Sequence, residues 1–122
     1  MASKVLIVES NTALAALWAQ HLTRCGMEVT TAQGPDEAIA AITEDAPDII
    51  VLDLVLEGGS ALAVSDFASY RSPSTRVIFV TNTTFFSDGS IFAHAQNACA
   101  FVQSETPPED LAAMVEHYAA SS

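Results

Sequence analysis

A single carboxylate, Asp53, closes an apolar run and is the first residue whose type and position suit chemistry. The run covers Ile49 to Leu52 and follows the turn at Pro47-Asp48. A continuous apolar run of this kind is typical of a strand buried on both faces, where a charged side chain is not expected. We therefore expect Asp53 at the carboxyl end of the strand, the edge where open α/β sheets bind ligands. A solvated loop acid or a helix cap fits an isolated Asp equally well.

Two other apolar runs also end in polar residues. The run KVLIV, residues 4–8, is followed by Glu9 and Ser10, and RVIFVT, residues 76–81, ends in Thr81 before Asn82. In a parallel sheet the carboxyl ends of the strands meet at one edge. The sequence therefore predicts a pocket in which carboxylates and a hydroxyl converge on Asp53.

Alternating strands and helices must position these side chains. The apolar patterns predict strands at residues 4–8, 27–31, 48–53, 76–81 and 99–103, and helices at 12–25, from 35 to before Pro47, and at 59–70, 86–97 and 109–120. Five strand–helix units in succession indicate a parallel sheet with helices on both faces. Within helix 12–25, the spacing of Leu14, Leu17, Trp18, His21, Leu22 and Cys25 predicts one core-facing stripe.

Composition excludes several classes of function. The 122 residues carry a formal net charge of −11 with only four Lys and Arg, which argues against direct binding of nucleic acid or of anionic membranes. No apolar run reaches the roughly 18 residues that a membrane span needs. Cys25 and Cys99 match no metal or disulfide spacing, so we expect two buried apolar thiols in a reducing cytoplasm.

At this point the chain resembles a known family, the receiver domain of bacterial two-component response regulators. The resemblance covers essentially the whole chain, and its strongest parts are VLIVE, AQGPDEAIAAI, PDIIVLDLVLEGG and VIFVTN. It implies a three-layer (βα)5 flavodoxin-like fold whose five parallel strands lie in the order 2-1-3-4-5. It also implies phosphorelay signalling, with a sensor histidine kinase or phosphotransfer protein as the phosphoryl donor.

The resemblance assigns a role to each polar residue of the predicted pocket. Asp53 would be the phosphoacceptor, attacking a phosphohistidine with the help of Mg²⁺. The metal ligands would be Glu9, Ser10, Asp53 and the backbone carbonyl of Val55. Thr81 would hydrogen-bond the phosphoryl group and move inward on activation, and Phe101 would rotate with it.

The chain departs from the family pattern at several positions of this pocket. Ser10 stands where the family usually has a metal-ligating Asp, and a neutral hydroxyl is a poor replacement on a hard cation. Ser104 stands at the usual Lys position, with Glu105 in place of the following Pro, while the one lysine, Lys4, lies at the other end of the first strand. We therefore expect weak Mg²⁺ binding and a weak conformational response to phosphorylation.

Three functions remain open from the sequence. The first is a stand-alone, cytoplasmic receiver, one domain over residues 1–122 without an output domain, with no enzymatic activity beyond autocatalytic phosphotransfer to Asp53. Its output would be contact with a downstream protein. The second is a degenerate receiver that binds partners without phosphorylation, and the third is a flavodoxin-like small-molecule binder or enzyme. The face formed by the fourth predicted helix, the fifth strand and the last helix, near Phe85 and Phe86, is a candidate output or homodimer surface.

Overall fold

The computed structural model describes residues 3–53, 61–81, 98–103 and 106–120, and for residues 81, 98–103 and 120 it describes the backbone alone. The described elements are β1 Lys4–Val8, α1 Thr12–Arg24, β2 Glu28–Ala32, α2 Pro35–Glu44, β3 Ile49–Asp53, α3 Ala61–Arg71, β4 Arg76–Thr81, β5 Ala98–Gln103 and α4 Pro108–Ala120. The predicted helix at 86–97 lies outside the described residues. None of the described helices is long and apolar enough to cross a membrane.

The five strands form one parallel sheet in the order β2-β1-β3-β4-β5. This order confirms the predicted flavodoxin-like topology. The three central strands β1, β3 and β4 have neighbours on both sides, while β2 and β5 form the edges of the sheet. Asp53 is paired with Val80 of β4, so the sheet pairing continues to the last residue of β3.

Alternate residues of the central strands supply two separate cores. On one face, Ile49 and Val51 of β3 pack with residues of α1 and α4, including Trp18 and Val115. On the other face, residues of β3 pack with α2 and α3, and the members of this core on the central strands are Leu6, Val8, Ile50, Leu52, Val77 and Phe79. The sheet is therefore the middle of three layers, as the continuous apolar runs of the sequence predict.

Local signals in the sequence explain where the helices begin and end. The side chain of Asn11 accepts a hydrogen bond of 3.1 Å from the amide of Leu14 and caps α1. Gly26 ends that helix with a φ of +87°, a conformation that residues with a Cβ rarely adopt. Pro35 occupies the first turn of α2, where its missing N–H would have no helical partner.

Two expectations about α1 are wrong. Leu17 is 41 % exposed, and Cys25 is exposed rather than buried; the side chain of Cys99 lies outside what is described. The buried stripe of α1 consists of Ala15, Trp18 and Leu22. Leu17 lies outside this stripe because adjacent helix positions point about 100° apart, and Cys25 lies outside it because the helix ends at Arg24.

The two leucines of α1 provide a matched test of this orientation. Leu22 is 1 % exposed whereas Leu17 is 41 % exposed, and both lie within the same helix. We expect Leu22→Ala to lower the free energy of unfolding by about 2–5 kcal/mol, and Leu17→Ala by about 1 kcal/mol or less. Urea denaturation measures both values, and equal losses would contradict the observed orientation of the helix.

Candidate functional site

Asp53 lies at the end of β3, on the carboxyl edge of the sheet, and its side chain is partly buried. Leu52, directly before it, is fully buried. The strand therefore carries its one acid at the first position where the chain leaves the core. The position of Asp53 agrees with the prediction from the apolar run.

Glu9 follows the last residue of β1 and is held next to the same edge. Its backbone amide donates a hydrogen bond of 2.9 Å to the carbonyl of Ala32. Its Oε2 atom accepts a bond of 3.1 Å from the amide of Asn11. Although only 3 % of Glu9 is exposed, its Oε1 atom is buried without a hydrogen-bond partner among the described residues.

Burial and a second carboxylate change the ionisation of Glu9. Desolvation is the largest cause that raises the pKa of Glu9, and the nearby side chain of Asp53 adds to it; together they bring the pKa from 4.5 to about 7. The hydrogen bond from the amide of Asn11 acts in the opposite direction but is outweighed. This influence of Asp53 on Glu9 shows that the two carboxyl groups share one pocket.

This pair fits a hard divalent cation. Such ions bind carboxylate oxygens, and a cation beside Glu9 would satisfy its buried Oε1 atom and offset the repulsion between two acids. The described residues contain no group of three or more His, Cys, Asp and Glu side chains that could hold a metal. Among the described residues, a cation at this site would therefore be bound by two carboxylates, those of Glu9 and Asp53.

Ser10, the position predicted to lack a metal-ligating acid, is tied to the neighbouring strand connection. Its Oγ atom donates a hydrogen bond of 2.9 Å to the backbone carbonyl of Gln33. The amide of Gln33 in turn donates a bond of 2.9 Å to the Oε2 atom of Glu37 at the start of α2. The hydroxyl of Ser10 thus has a structural partner in the turn between β2 and α2.

The described backbone includes two of the other predicted residues, Thr81 and Phe101. Thr81 ends β4 one residue past Val80, the partner of Asp53, and is itself paired with Gln103. Phe101 is paired with Phe79 inside the sheet. The positions of Val55, Asn82, Phe85, Phe86, Ser104 and Glu105 lie outside the described residues. The roles assigned to Thr81, Phe101, Val55 and Ser104 therefore stay predictions.

All four cationic residues of the chain lie at the opposite end of the sheet. Lys4 and Arg76 begin β1 and β4, while Arg24 and Arg71 end α1 and α3. Helices that return between parallel strands end near the amino ends of those strands. Lys4 is also held at that end of the sheet, because its ammonium group forms an ion pair of 2.8 Å with Asp45. This contact raises the pKa of Lys4. Lys4 consequently cannot replace the family's missing lysine near Asp53.

One groove among the described residues lies away from Asp53. It has a volume of about 520 Å³ and is lined by residues of β1, β2 and the second half of α2, including Lys4, Glu28 and Asp45. Its lining is at the amino ends of the strands, and it contains neither Glu9 nor Asp53. This groove is therefore separate from the carboxyl pair at the other edge of the sheet.

Comparison with known proteins identifies the class to which this fold and site belong. The family model of the response regulator receiver domain matches residues 5–116. The chain belongs to this family, whose members are signalling modules of bacterial two-component systems. Receiver domains take part in phosphorelay signalling with histidine kinases or phosphotransfer proteins, and they typically bind Mg²⁺ at the phosphorylation site.

Individual relatives and structures agree with this assignment. The chain is 30 % identical over 112 residues to the transcriptional regulatory protein RstA of Escherichia coli, covering 89 % of this chain and 45 % of RstA. Identity to the regulator NtrC of Klebsiella pneumoniae is 24 %, over 90 % of this chain and 23 % of NtrC. The chain thus spans less than half the length of these relatives.

Two solved structures of receiver domains have backbones similar to that of this chain. The receiver domain of NtrX from Brucella abortus superposes with a TM-score of 0.85 at 26 % identity, covering 97 % of this chain and 99 % of that one. A CheY-like receiver domain from Methanospirillum hungatei superposes with a TM-score of 0.90 at 23 % identity, covering 99 % and 96 %.

Sequence reasoning missed three residues that organise the site. These are Asn11, whose amide holds the carboxylate of Glu9, and the pair Gln33 and Glu37. One signal was available: Glu37 is the third residue after the helix cap Gly34, the spacing at which an acid reaches back to a free backbone amide. The link from Ser10 to Gln33 spans 23 residues and has no local signal.

The raised pKa of Glu9 predicts a pH dependence of stability. Because this acid has a higher pKa in the folded than in the unfolded chain, its contribution to stability is greatest below pH 4.5. That contribution falls as the pH rises to about 7. The loss between these limits is roughly 3 kcal/mol, since one pKa unit corresponds to about 1.36 kcal/mol.

Glu9→Gln tests this directly because glutamine resembles the protonated acid. In metal-free buffer we expect the variant to match the wild type near pH 4.5 and to be the more stable protein near pH 8, as measured by urea denaturation. Glu44→Gln, at an exposed acid of α2, is the control. Parallel pH profiles for wild type and Glu9→Gln would contradict the burial and pairing of Glu9.

Proposed function

We propose that this chain is a receiver that accepts a phosphoryl group on Asp53 from a sensor histidine kinase or phosphotransfer protein. It acts in the cytoplasm as one domain over residues 1–122, and its output is contact with a downstream protein. The observation that carries the proposal is the carboxyl pair of Asp53 and buried Glu9 at the carboxyl edge of the sheet. Two neighbouring carboxyl groups, one of them buried, are expected neither in a hydrophobic core nor among solvated surface acids.

The proposed transfer requires few protein groups. A carboxylate oxygen of Asp53 attacks the phosphorus, an O–P bond forms, the P–N bond to histidine breaks, and the imidazole leaves. Mg²⁺, when bound, neutralises the negative charge that accumulates on the phosphoryl oxygens. Glu9 and Asp53 would hold this ion, with the carbonyl of Val55 as a neutral ligand. Thr81 is proposed to hydrogen-bond the phosphoryl group.

The response to phosphorylation is proposed to be weak. A charge-assisted hydrogen bond such as the one to the family's lysine contributes about 1.5–3 kcal/mol. Moving a two-state equilibrium from 1:99 to 99:1 requires roughly 5.5 kcal/mol. With Ser104 at the lysine position, with every lysine and arginine at the far edge of the sheet, and with a weakened Mg²⁺ site, half or more of that energy is missing.

The same charge distribution favours a second function, an interaction module that works without phosphorylation. The fold is retained, whereas the acid expected at position 10 is a serine bonded to Gln33. In this version the chain binds its partner in one conformation. The candidate surface is the face formed by β5, α4 and the predicted helix 86–97, through which a homodimer is also proposed to form.

Exposure to acetyl phosphate separates the two functions. With excess Mg²⁺ we expect the intact mass to rise by one phosphoryl group in the wild type and in Asp66→Asn, which alters an exposed acid of α3. The gain should be absent in Asp53→Asn because the nucleophilic oxygen pair is lost. A wild type that gains no mass at saturating Mg²⁺ would reject phosphorylation and favour the second function.

Supplying the missing cation tests the weak response. In phosphorylated Ser104→Lys we expect larger amide chemical-shift changes at Thr81 and Phe101 than in the phosphorylated wild type, because the lysine can bind the phosphoryl group. Ser104→Gln controls for side-chain length without charge. Full-sized shifts already present in the wild type would show that the switch does not need this cation.

A further inference from the structure

The segment that carries Glu9 is attached to β2 beyond the end of the regular sheet. The last register pair of the two strands is Val8 with Ala32. After it, the amide of Glu9 donates to the carbonyl of Ala32, and the hydroxyl of Ser10 donates to the carbonyl of Gln33, both at 2.9 Å. The side chain of Ser10 thus extends the pairing by one residue, toward the site.

Glu37 fixes the other side of this attachment. The backbone of Gln33 is held at both of its polar groups, since its carbonyl accepts from Ser10 and its amide donates to Glu37 at 2.9 Å. Because Glu37 belongs to the first turn of α2, the turn between β2 and α2 cannot shift without breaking one of these bonds. Ala32 and Ala38, on either side of the turn, are buried in the core.

A serine at position 10 suits this arrangement better than an acid would. Gln33 presents a carbonyl, which needs a donor, and an ionised carboxylate has none. An aspartate would bring two acceptors face to face. Ser10 therefore supplies a hydrogen bond that the family's usual acid cannot make to this carbonyl.

From these contacts we infer that Ser10 and Glu37 are positioning residues, which act through Gln33 to keep the carboxylate of Glu9 beside Asp53 in the geometry that takes up a divalent cation. The inference rests on the proposed function for its cation. Residues that orient a metal ligand commonly change metal affinity by tenfold or more when they are removed. Glu37 thereby acts on the site through two hydrogen bonds and without touching it.

Two variants at position 37 provide the decisive comparison. Glu37→Ala and Glu37→Gln each remove one negative charge, but only glutamine keeps an oxygen that can accept from Gln33. We expect the Mg²⁺ dissociation constant, measured by calorimetric titration, to rise about tenfold in Glu37→Ala and by at most about twofold in Glu37→Gln. The same dissociation constant in the two variants would overturn the inference.

Position 10 offers a parallel pair. Ser10→Thr keeps the donor, whereas Ser10→Ala removes it, so only alanine should weaken Mg²⁺ binding strongly. Since Ser10 and Glu37 act through the backbone of one residue, the double variant Ser10→Ala/Glu37→Ala should bind Mg²⁺ no more weakly than the worse single variant. Fully additive losses would mean that the two residues act independently and would overturn the inference.

A measurement without metal separates this inference from the proposed function. Hydrogen exchange of the Glu9 amide should be about fivefold faster in Glu37→Ala than in Glu37→Gln, the effect expected for one hydrogen bond. A wild type that binds no Mg²⁺ refutes the proposed metal site. In that case the exchange rates decide alone: a difference supports the positioning role, and equal rates refute it.

Discussion

The burial of one carboxyl group, that of Glu9, beside a second one, that of Asp53, is the constraint on which the site depends. Glu9 is buried and borders Asp53, and its pKa is raised to about 7 for both reasons. A folded chain tolerates this only because the surrounding sheet is rigid: the strands that end at these residues are packed on both faces. The packing of the two cores therefore stabilises the fold enough to keep Glu9 buried, although its carboxyl group is better solvated in water.

The architecture explains why such different sequence segments meet at this place. In a parallel sheet every strand ends at the same edge, so the residue after each apolar run contributes to one pocket without any local contact between the runs. Hydrogen bonds with Asn11 and Ala32 then orient Glu9, and the bonds that Ser10 and Glu37 form with Gln33 fix the turn beside it. The strands determine which residues meet, and the connections determine their orientation.

The sequence predicts the fold more completely than the site. Continuous apolar runs such as IIVL and the Gly-Pro break at residues 34–35 act locally, so the described strands and the start of α2 follow from the sequence alone. The positions of Glu9 and Asp53 follow as well, because a charge must leave a buried strand at its end. By contrast, the exposure of Leu17 and the bond from Ser10 to Gln33 depend on neighbours distant in sequence. Helical spacing cannot tell which of several apolar residues the sheet has room for.

Charge is distributed unevenly along the strands. The edge that carries Glu9, Asp53 and the acids that begin α2 and α4 is the negative pole, while the four basic side chains at the other edge are largely offset by neighbouring acids such as Asp45 and Asp48. A positively charged protein that approaches this chain attracts the negative pole. The resulting torque on this chain turns Asp53 toward the approaching protein before contact. The torque weakens as ionic strength rises, since the screening length is about 8 Å at physiological salt. Dissolved ions thus control how fast a basic protein meets this pole in the right orientation.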